Sequence, residues 1–159
     1  MPGDTAPLLI AEDIKKTLVA LQEKDKKERI TVYTDGSTNP KGNICNSGSS
    51  IIVTDSKDRT IWSGGMTVRA DGNNFIPELA AAAMAIKACP AGLPMTLRID
   101  STAVIGAISK GVLSERKRVR AAGRAWLNFS RQDFMEKRHA MQIHHVSSHK
   151  GTDTTEQKG

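Results

Sequence analysis

The sequence has 159 residues, of which 38% are hydrophobic and 25% are charged, as is typical of one globular domain of ordinary size. No apolar run approaches the roughly 20 residues that span a bilayer, and the N-terminus lacks the basic and apolar regions of a secretory signal. We therefore expect an intracellular protein, in the cytoplasm or nucleus, without a membrane partner. The formal net charge of +6 favours a polyanionic partner such as nucleic acid.

Two kinds of hydrophobic pattern alternate along the chain. Apolar residues at the 3.6-residue period predict helices, and period-2 alternation with β-branched residues predicts strands. Runs of glycine, proline and asparagine between them predict turns. In chain order the predicted elements are a helix at 8–28, strands at 30–34, 47–54 and 59–69, a helix at 74–88, a strand at 95–99, helices at 102–110 and 114–137, and a strand at 141–146.

A few residues inside these elements allow finer predictions. Gly123 is expected to interrupt the last helix, because glycine is a weak helix former. Trp126 is expected to pack in the core, where its large apolar area is best buried. His144 and His145 are neighbours in the last strand, so one should face inward and the other outward.

The order of the elements predicts an α/β fold. Three consecutive strands with short links predict an antiparallel meander. The strand–helix–strand connection that follows predicts parallel strands in the same sheet, with helices packed on it. We divide the chain into an N-terminal helix with a charged linker, residues 1–28, and one domain, residues 29–159.

Three carboxylates occupy the ends of predicted elements. Asp35 ends the first strand, Glu78 lies in the first turns of the alanine-rich helix, and Asp100 follows the fourth strand. Taken singly, each has an ordinary structural explanation, as a turn residue or as a partner of the helix dipole. If the three converge at one sheet edge, their charges repel unless a cation is present, and hard oxygen ligands of this kind suit Mg²⁺ or Mn²⁺.

Four motifs that contain these residues resemble the ribonuclease H family, in the order in which that family has them. They are Thr-Asp-Gly-Ser at 34–37, Asn74 with Pro-Glu-Leu-Ala-Ala at 77–81, Ile-Asp-Ser at 99–101, and His-Val-Ser-Ser-His-Lys-Gly at 145–151. Each motif alone is weak, but four in order on the matching elements are specific. The resemblance covers residues 30–159.

The resemblance implies a fold, an activity and a set of catalytic residues. The fold is a ribonuclease H-like mixed sheet of five strands, three antiparallel and then parallel, with flanking helices. The activity is metal-dependent hydrolysis of the RNA strand of an RNA–DNA hybrid, with two Mg²⁺ or Mn²⁺ ions in the complete site. Asp35, Glu78 and Asp100 are implied as catalytic metal ligands, and His149 as a mobile proton carrier, a role that suits imidazole at neutral pH.

The resemblance also implies residues that bind the hybrid. Reading a 2′-hydroxyl group distinguishes RNA from DNA, and the implied residues for this surface are Gly36, Ser37, Asn39, Asn74 and Ser101. Asn39 and Asn74 can equally be a turn residue and a helix cap. A run of basic residues within nine positions, which ends at Arg124, occupies the place where some family members carry a basic helix. The residues implied to bind the hybrid form the basic cluster Arg116, Lys117, Arg118 and Arg120. Its alternative interpretation is a solvated helix face.

One feature of the family is missing from the sequence. A fourth metal-binding Asp is expected in a helix after the His loop, but the sequence ends at Gly159, so we expect a domain truncated at its C-terminus. This leaves open a non-catalytic nucleic-acid-binding module. An integrase-like nuclease is disfavoured, because sites of that type have their Glu late in the chain, whereas Glu78 comes early. The tail at 148–153 resembles domains of retroelement reverse transcriptases, which implies a monomeric domain of a larger polyprotein.

Overall fold

The computed structural model describes residues 5–38, 46–69, 74–113 and 116–146. Asn39 and His149, two of the predicted site residues, lie outside the described residues. The helices are α1 (Thr5–Lys24), α2 (Phe75–Ala88), α3 (Thr102–Lys110) and α4 (Lys117–Lys137), followed by a 3-10 turn at Arg138–Ala140. The strands are β1 (Ile30–Thr38), β2 (Asn46–Thr54), β3 (Thr60–Arg69), β4 (Met95–Ile99) and β5 (Met141–His145).

The five strands form one mixed sheet in the order β3-β2-β1-β4-β5. β2 pairs antiparallel with β1 and with β3. β4 pairs parallel with β1 and with β5. The predicted α/β fold, with antiparallel strands first and parallel strands after them, is therefore confirmed. No helix within the described ranges is both long enough and apolar enough to cross a membrane.

The first strand is longer than predicted. Asp35 does not end it, because β1 continues to pair with β2 from Asp35 opposite Ser50 to Thr38 opposite Ser47. The turn-forming residues after Asp35 misled the prediction, since a glycine and a serine are tolerated in a strand that has a partner along its whole length. Only the pairing of β1 with β4 stops earlier, at Tyr33.

α2 lies at the centre of the core. All of its residues except Phe75 and Lys87 are buried, including Leu79 and Met84, which are fully inaccessible to solvent. Its run of alanines has no side-chain atoms beyond Cβ, so the helix can approach its neighbours closely. The buried residues of the sheet and of α1, α3 and α4 form one hydrophobic cluster with it.

α4 runs without a break, so the predicted interruption at Gly123 is wrong. A Cβ at this position would lie 2.8 Å from Leu113 Cδ2 and 3.5 Å from Phe75 Cε2. The glycine therefore permits close packing, and the packing compensates for its weak helix propensity. Trp126 is buried, as predicted, and its ring meets Phe129 edge to face at a centroid distance of 5.6 Å.

α1 contributes to the same core as the domain that follows it. Ala11, Ile14 and Leu18 are buried in the shared hydrophobic cluster. On its outer side, Trp62 Nε1 of β3 donates a 2.7 Å hydrogen bond to Asp13 Oδ2. The helix is thus joined to the sheet by both apolar packing and a polar contact.

We expect Leu18→Ala to lower the free energy of unfolding by about 3 kcal/mol, because it removes a fully buried side chain and leaves a cavity. The matched control is Leu9→Ala on the same helix. Leu9 is 59% exposed, so its replacement should change stability by less than about 0.5 kcal/mol. Urea unfolding measures both variants, and equal midpoints would contradict a core that includes α1.

Candidate active site

Asp35 and Asp100 lie side by side at the carboxyl edge of two parallel strands. β1 and β4 are paired as far as Tyr33 and Arg98, and each aspartate comes two residues later in its own chain segment. The carboxyl ends of parallel strands are where α/β sheets present their sites. The register of the sheet therefore brings these two carboxylates together.

Glu78 reaches the same edge because the first turn of α2 is in close contact with β1. A Cβ on Gly36 would lie 2.7 Å from the backbone nitrogen of Glu78 and 2.9 Å from Pro77 Cβ. Any larger residue at that position would push the helix away. Ser49, which pairs with Gly36 across the sheet, donates a 2.6 Å hydrogen bond from Oγ to the carbonyl oxygen of Pro77. These contacts hold the start of the helix against the strand.

The three carboxylates form one compact cluster. Asp35, Glu78 and Asp100 each offer an oxygen, and these oxygens all lie within 4.8 Å of one another. Asp35 is exposed, Asp100 is half-buried and Glu78 is buried. A cation entering from the solvent side could contact all three, so the geometry is suited to a divalent metal ion.

Burial and negative neighbours make the charge of Glu78 unfavourable in the absence of a cation. Desolvation by burial raises the pKa of Glu78 to about 9, and the hydrogen bond with Asp100 and the charges of Asp100 and Asp35 act in the same direction. Glu78 Oε2 is buried and has no hydrogen-bond partner among the described residues. A buried carboxylate oxygen without a donor, next to two further carboxylates, fits a divalent cation well.

The predicted hybrid-binding residues differ in their surroundings. Ser37 is exposed on β1, two residues beyond Asp35. Asn74 is the exposed N-cap residue of α2, as the alternative interpretation predicted, but its side chain makes no capping hydrogen bond. Ser101 caps α3, because its Oγ accepts a 3.2 Å hydrogen bond from Val104 N.

The basic cluster lies at the start of α4, with its members exposed to solvent: Arg116, Lys117, Arg118 and Arg120. The first turn of α4 has no acidic residue. Cations at a helix N-terminus oppose the helix dipole, whereas anions are favoured there. A groove of about 510 Å³ extends from Arg116 to Phe75 and Thr102, which lie beside Glu78 and Asp100 in the sequence. Arg116 thus shares a groove with residues that lie three positions from Glu78 and two positions from Asp100 in the sequence.

The end of β5 departs from the sequence prediction. His144 and His145 are both exposed, so the expectation that one of them faces inward is wrong. β5 lies at one end of the described sheet order, and none of its five residues is buried. His145 Nε2 lies 3.1 Å from the backbone oxygen of Asp100, to which the tautomer protonated at Nε2 donates.

Two residues that contact the cluster's surroundings were not assigned to the site from the sequence. Ser49 and His145 both contact the backbone of a residue at or next to a carboxylate of the cluster. A serine at an inward-facing position of an apolar strand was the available signal for Ser49. The contact of His145 depends on the register of β4 and β5, which the sequence pattern does not specify.

We expect Glu78→Gln to stabilise the metal-free protein above neutral pH. The pKa of Glu78 is raised from 4.5 to about 9 in the folded protein. The contribution of this group to the free energy of unfolding is therefore fully present below about pH 4.5 and is lost as the pH rises towards 9. In EDTA the free energy of unfolding of the variant should exceed that of wild type by more than about 1.4 kcal/mol near pH 8, the equivalent of a pKa shift of one unit. Unfolding measurements at about pH 4.5 and at pH 8 give the difference in stability between the variant and wild type. An equal difference at the two pH values would contradict the raised pKa.

Solved structures of ribonucleases H have a similar fold. LC11-RNase H1, isolated from compost by a metagenomic approach and solved in complex with an RNA/DNA hybrid, is 17% identical, with a TM-score of 0.58 over 77% of this chain and 88% of that chain. RNase H1 of the halophilic archaeon Halobacterium salinarum NRC-1 is 23% identical, with a TM-score of 0.54 over 74% and 85%. The RNase H domain of prototype foamy virus is 21% identical, with a TM-score of 0.59 over 81% and 85%.

At these identities the structural likeness shows the fold. No curated protein matches the sequence. The sequence model of the RNase H family matches residues 27–158, a range that runs from before β1 to beyond β5 and contains all three clustered carboxylates. The chain therefore belongs to the ribonuclease H family.

Proposed function

We propose that this protein hydrolyses the RNA strand of RNA–DNA hybrids with divalent metal ions, Mg²⁺ or Mn²⁺, held by Asp35, Glu78 and Asp100. The observation that carries the proposal is the convergence of these three carboxylates within 4.8 Å in a chain of the ribonuclease H family. The likeness to LC11-RNase H1, which was solved with an RNA/DNA hybrid, supports the choice of substrate.

The three carboxylates would hold the ions from different elements of the fold. Asp35 and Asp100 offer oxygens from neighbouring strands, and Glu78 offers the buried oxygen that has no other partner among the described residues. Two divalent ions at such a site supply an activated water and neutralise the charge that develops on the phosphate oxygens. His149, which lies outside the described residues, is proposed to carry a proton during product release.

The hybrid is proposed to lie across the same edge of the sheet. The proposed binding residues are the Gly36 backbone, which lies close to Glu78, together with Ser37, Asn39, Asn74 and Ser101. Contacts of such polar groups with a 2′-hydroxyl group give selectivity for RNA. The exposed amide of Asn74 supports this role, because no capping hydrogen bond engages its side chain.

The basic start of α4 is proposed to bind the phosphate backbone of the hybrid. Its cations oppose the helix dipole, which favours an anion at this end of the helix. A phosphate would relieve this repulsion and would also accept hydrogen bonds from the free backbone N–H groups of the first turn. This makes a solvated helix face the weaker explanation of the cluster.

The proposal extends to a larger polypeptide that also contains a reverse transcriptase. The sequence at 148–153 resembles such domains, and the similar domain of prototype foamy virus belongs to a protease–reverse transcriptase. The first is a likeness of sequence, and the second is a likeness of fold.

We expect Asp35→Asn and Asp100→Asn each to reduce hybrid cleavage by more than about 100-fold, because loss even of residues that support metal ligands lowers activity by roughly 10–100-fold. Asp25→Asn is the matched control, since Asp25 lies in an exposed turn where it accepts a hydrogen bond from Lys27 N. EDTA should abolish cleavage by wild type, and duplex DNA should be a poor substrate. Tight hybrid binding by wild type without cleavage at saturating Mg²⁺ and Mn²⁺ would support a non-catalytic module instead.

We expect replacement of the four cations of the basic cluster by Gln to weaken hybrid binding. The slope of log K against log salt should fall by up to about 3.6, because each phosphate contact contributes roughly 0.9 through counterion release. The control replaces four exposed lysines of α1 and the turn after it: Lys15, Lys16, Lys26 and Lys27. An unchanged affinity and slope would assign the basic cluster to a solvated helix face.

A further inference from the structure

A second groove lies between α3 and the exposed side of α4. Its volume is about 400 Å³. Four cations line it, Lys110, Arg124, Arg131 and Arg138, and within the described residues no carboxylate does. Of these cations, only Arg124 adjoins the basic cluster in sequence, so the groove is a further positively charged surface.

The three arginines of this groove follow one side of α4 and of the start of the 3-10 turn after it. Arg124, Arg131 and Arg138 are seven residues apart, which is close to two helical turns, so they are spaced at about 10.5 Å along one side. All three are exposed. Across the described part of the chain none of them takes part in an ion pair, and Asp133 of α4 pairs with Lys87 and Lys137 instead. The row of charge is therefore available to a ligand.

The wall of the groove is apolar and includes an aromatic ring. Leu127 and Phe134 line it and are half-buried. The guanidinium of Arg138 lies 5.9 Å from the centre of the Phe134 ring. Proteins bind single-stranded nucleic acid by combining a cationic track for phosphates with aromatic surfaces on which bases stack. A row of arginines beside a ring matches both requirements.

The groove adjoins the groove that Arg116 lines. Leu113 lines both this groove and the one that runs from Arg116 to Thr102. α4 begins near the first turn of α2, where Gly123 approaches Phe75. It ends near the last turn of α2, where Lys137 Nζ donates to the carbonyl oxygen of Ile86. A strand that follows α4 would thus lead away from the cluster.

The geometry points to a binding site for single-stranded nucleic acid along the groove between α3 and α4, with Arg124, Arg131 and Arg138 on phosphates and Phe134 beneath a base. The inference rests on the proposed function, because a hybrid-cleaving protein meets unpaired strand where its substrate ends. The site would hold the strand that continues beyond the duplex. An acidic peptide is the competing occupant, but it would leave the aromatic wall without a planar partner.

The test measures binding of a fluorescent oligothymidylate of about 12 nucleotides by anisotropy. Measurements in EDTA make the result independent of cleavage. We expect the double variant Arg131→Gln/Arg138→Gln to bind roughly tenfold more weakly, with a salt slope smaller by about 1.4, since each contact with a single strand contributes about 0.7. Phe134→Leu keeps an apolar side chain but removes the stacking surface, so it should also weaken binding, with a melting temperature close to that of wild type.

The control variant Lys15→Gln/Lys16→Gln removes the same charge from exposed positions of α1. Equal weakening by this control and by the arginine variant would overturn the site, because the effect would then be one of net charge. Displacement of the oligonucleotide by poly-glutamate as efficiently as by unlabelled oligonucleotide would also overturn it and favour an acidic peptide.

Hybrid substrates separate this inference from the proposed function. The arginine variant should cleave a blunt hybrid as wild type does, but it should lose the added affinity that a single-stranded overhang gives to wild type. If wild type cleaves no hybrid, the proposed function fails while the oligonucleotide result stands. If wild type cleaves hybrids and the overhang adds no affinity, the groove proposal fails alone.

Discussion

The close contact between Gly36 and the first turn of α2 is the constraint on which the candidate site depends. With no Cβ on Gly36, the backbone nitrogen of Glu78 can approach β1 to a distance that any other residue would prevent. The hydroxyl of Ser49 secures the approach through the carbonyl of Pro77. Because α2 also fills the centre of the core, the packing of the whole domain sets the position of one carboxylate relative to the other two.

The unfavourable positive charges at the start of α4 indicate a binding partner of opposite charge. Its first turn carries cations where the helix dipole favours anions, and it is held to α2 by other means. Gly123 approaches Phe75 and Leu79 of α2, and Asp133 bridges Lys87 of α2 and Lys137. Since packing fixes the helix, its exposed charges are not required for folding. Proteins break local rules of this kind mostly at functional sites, and here the exception favours a polyanion.

Much of the fold was predictable because its elements end at strong local signals. α3 (Thr102–Lys110) is preceded by the capping residue Ser101 and followed by Gly111, whose φ of 72° is in the left-handed region, and both of its bounds were predicted from sequence. The errors occurred where long-range contacts decide. β1 continues past Asp35 because β2 pairs with it, and α4 continues through Gly123 because Leu113 packs there. The three carboxylates were predictable as residues, but the raised pKa of one of them depends on burial that only the packing creates.

The electrostatics of Glu78 bear on whether the protein is a nuclease or a non-catalytic module. A module that binds nucleic acid without metal needs neither a buried carboxyl group at the start of α2 nor two further carboxylates beside it. In such a protein the arrangement would only lower stability above neutral pH, because a neutral group of the same shape would avoid the unfavourable charge. A protein that binds divalent ions gains from the same arrangement, since each ion replaces repulsion by attraction. The buried oxygen of Glu78 without a hydrogen-bond partner among the described residues therefore favours the metal-dependent nuclease over the module.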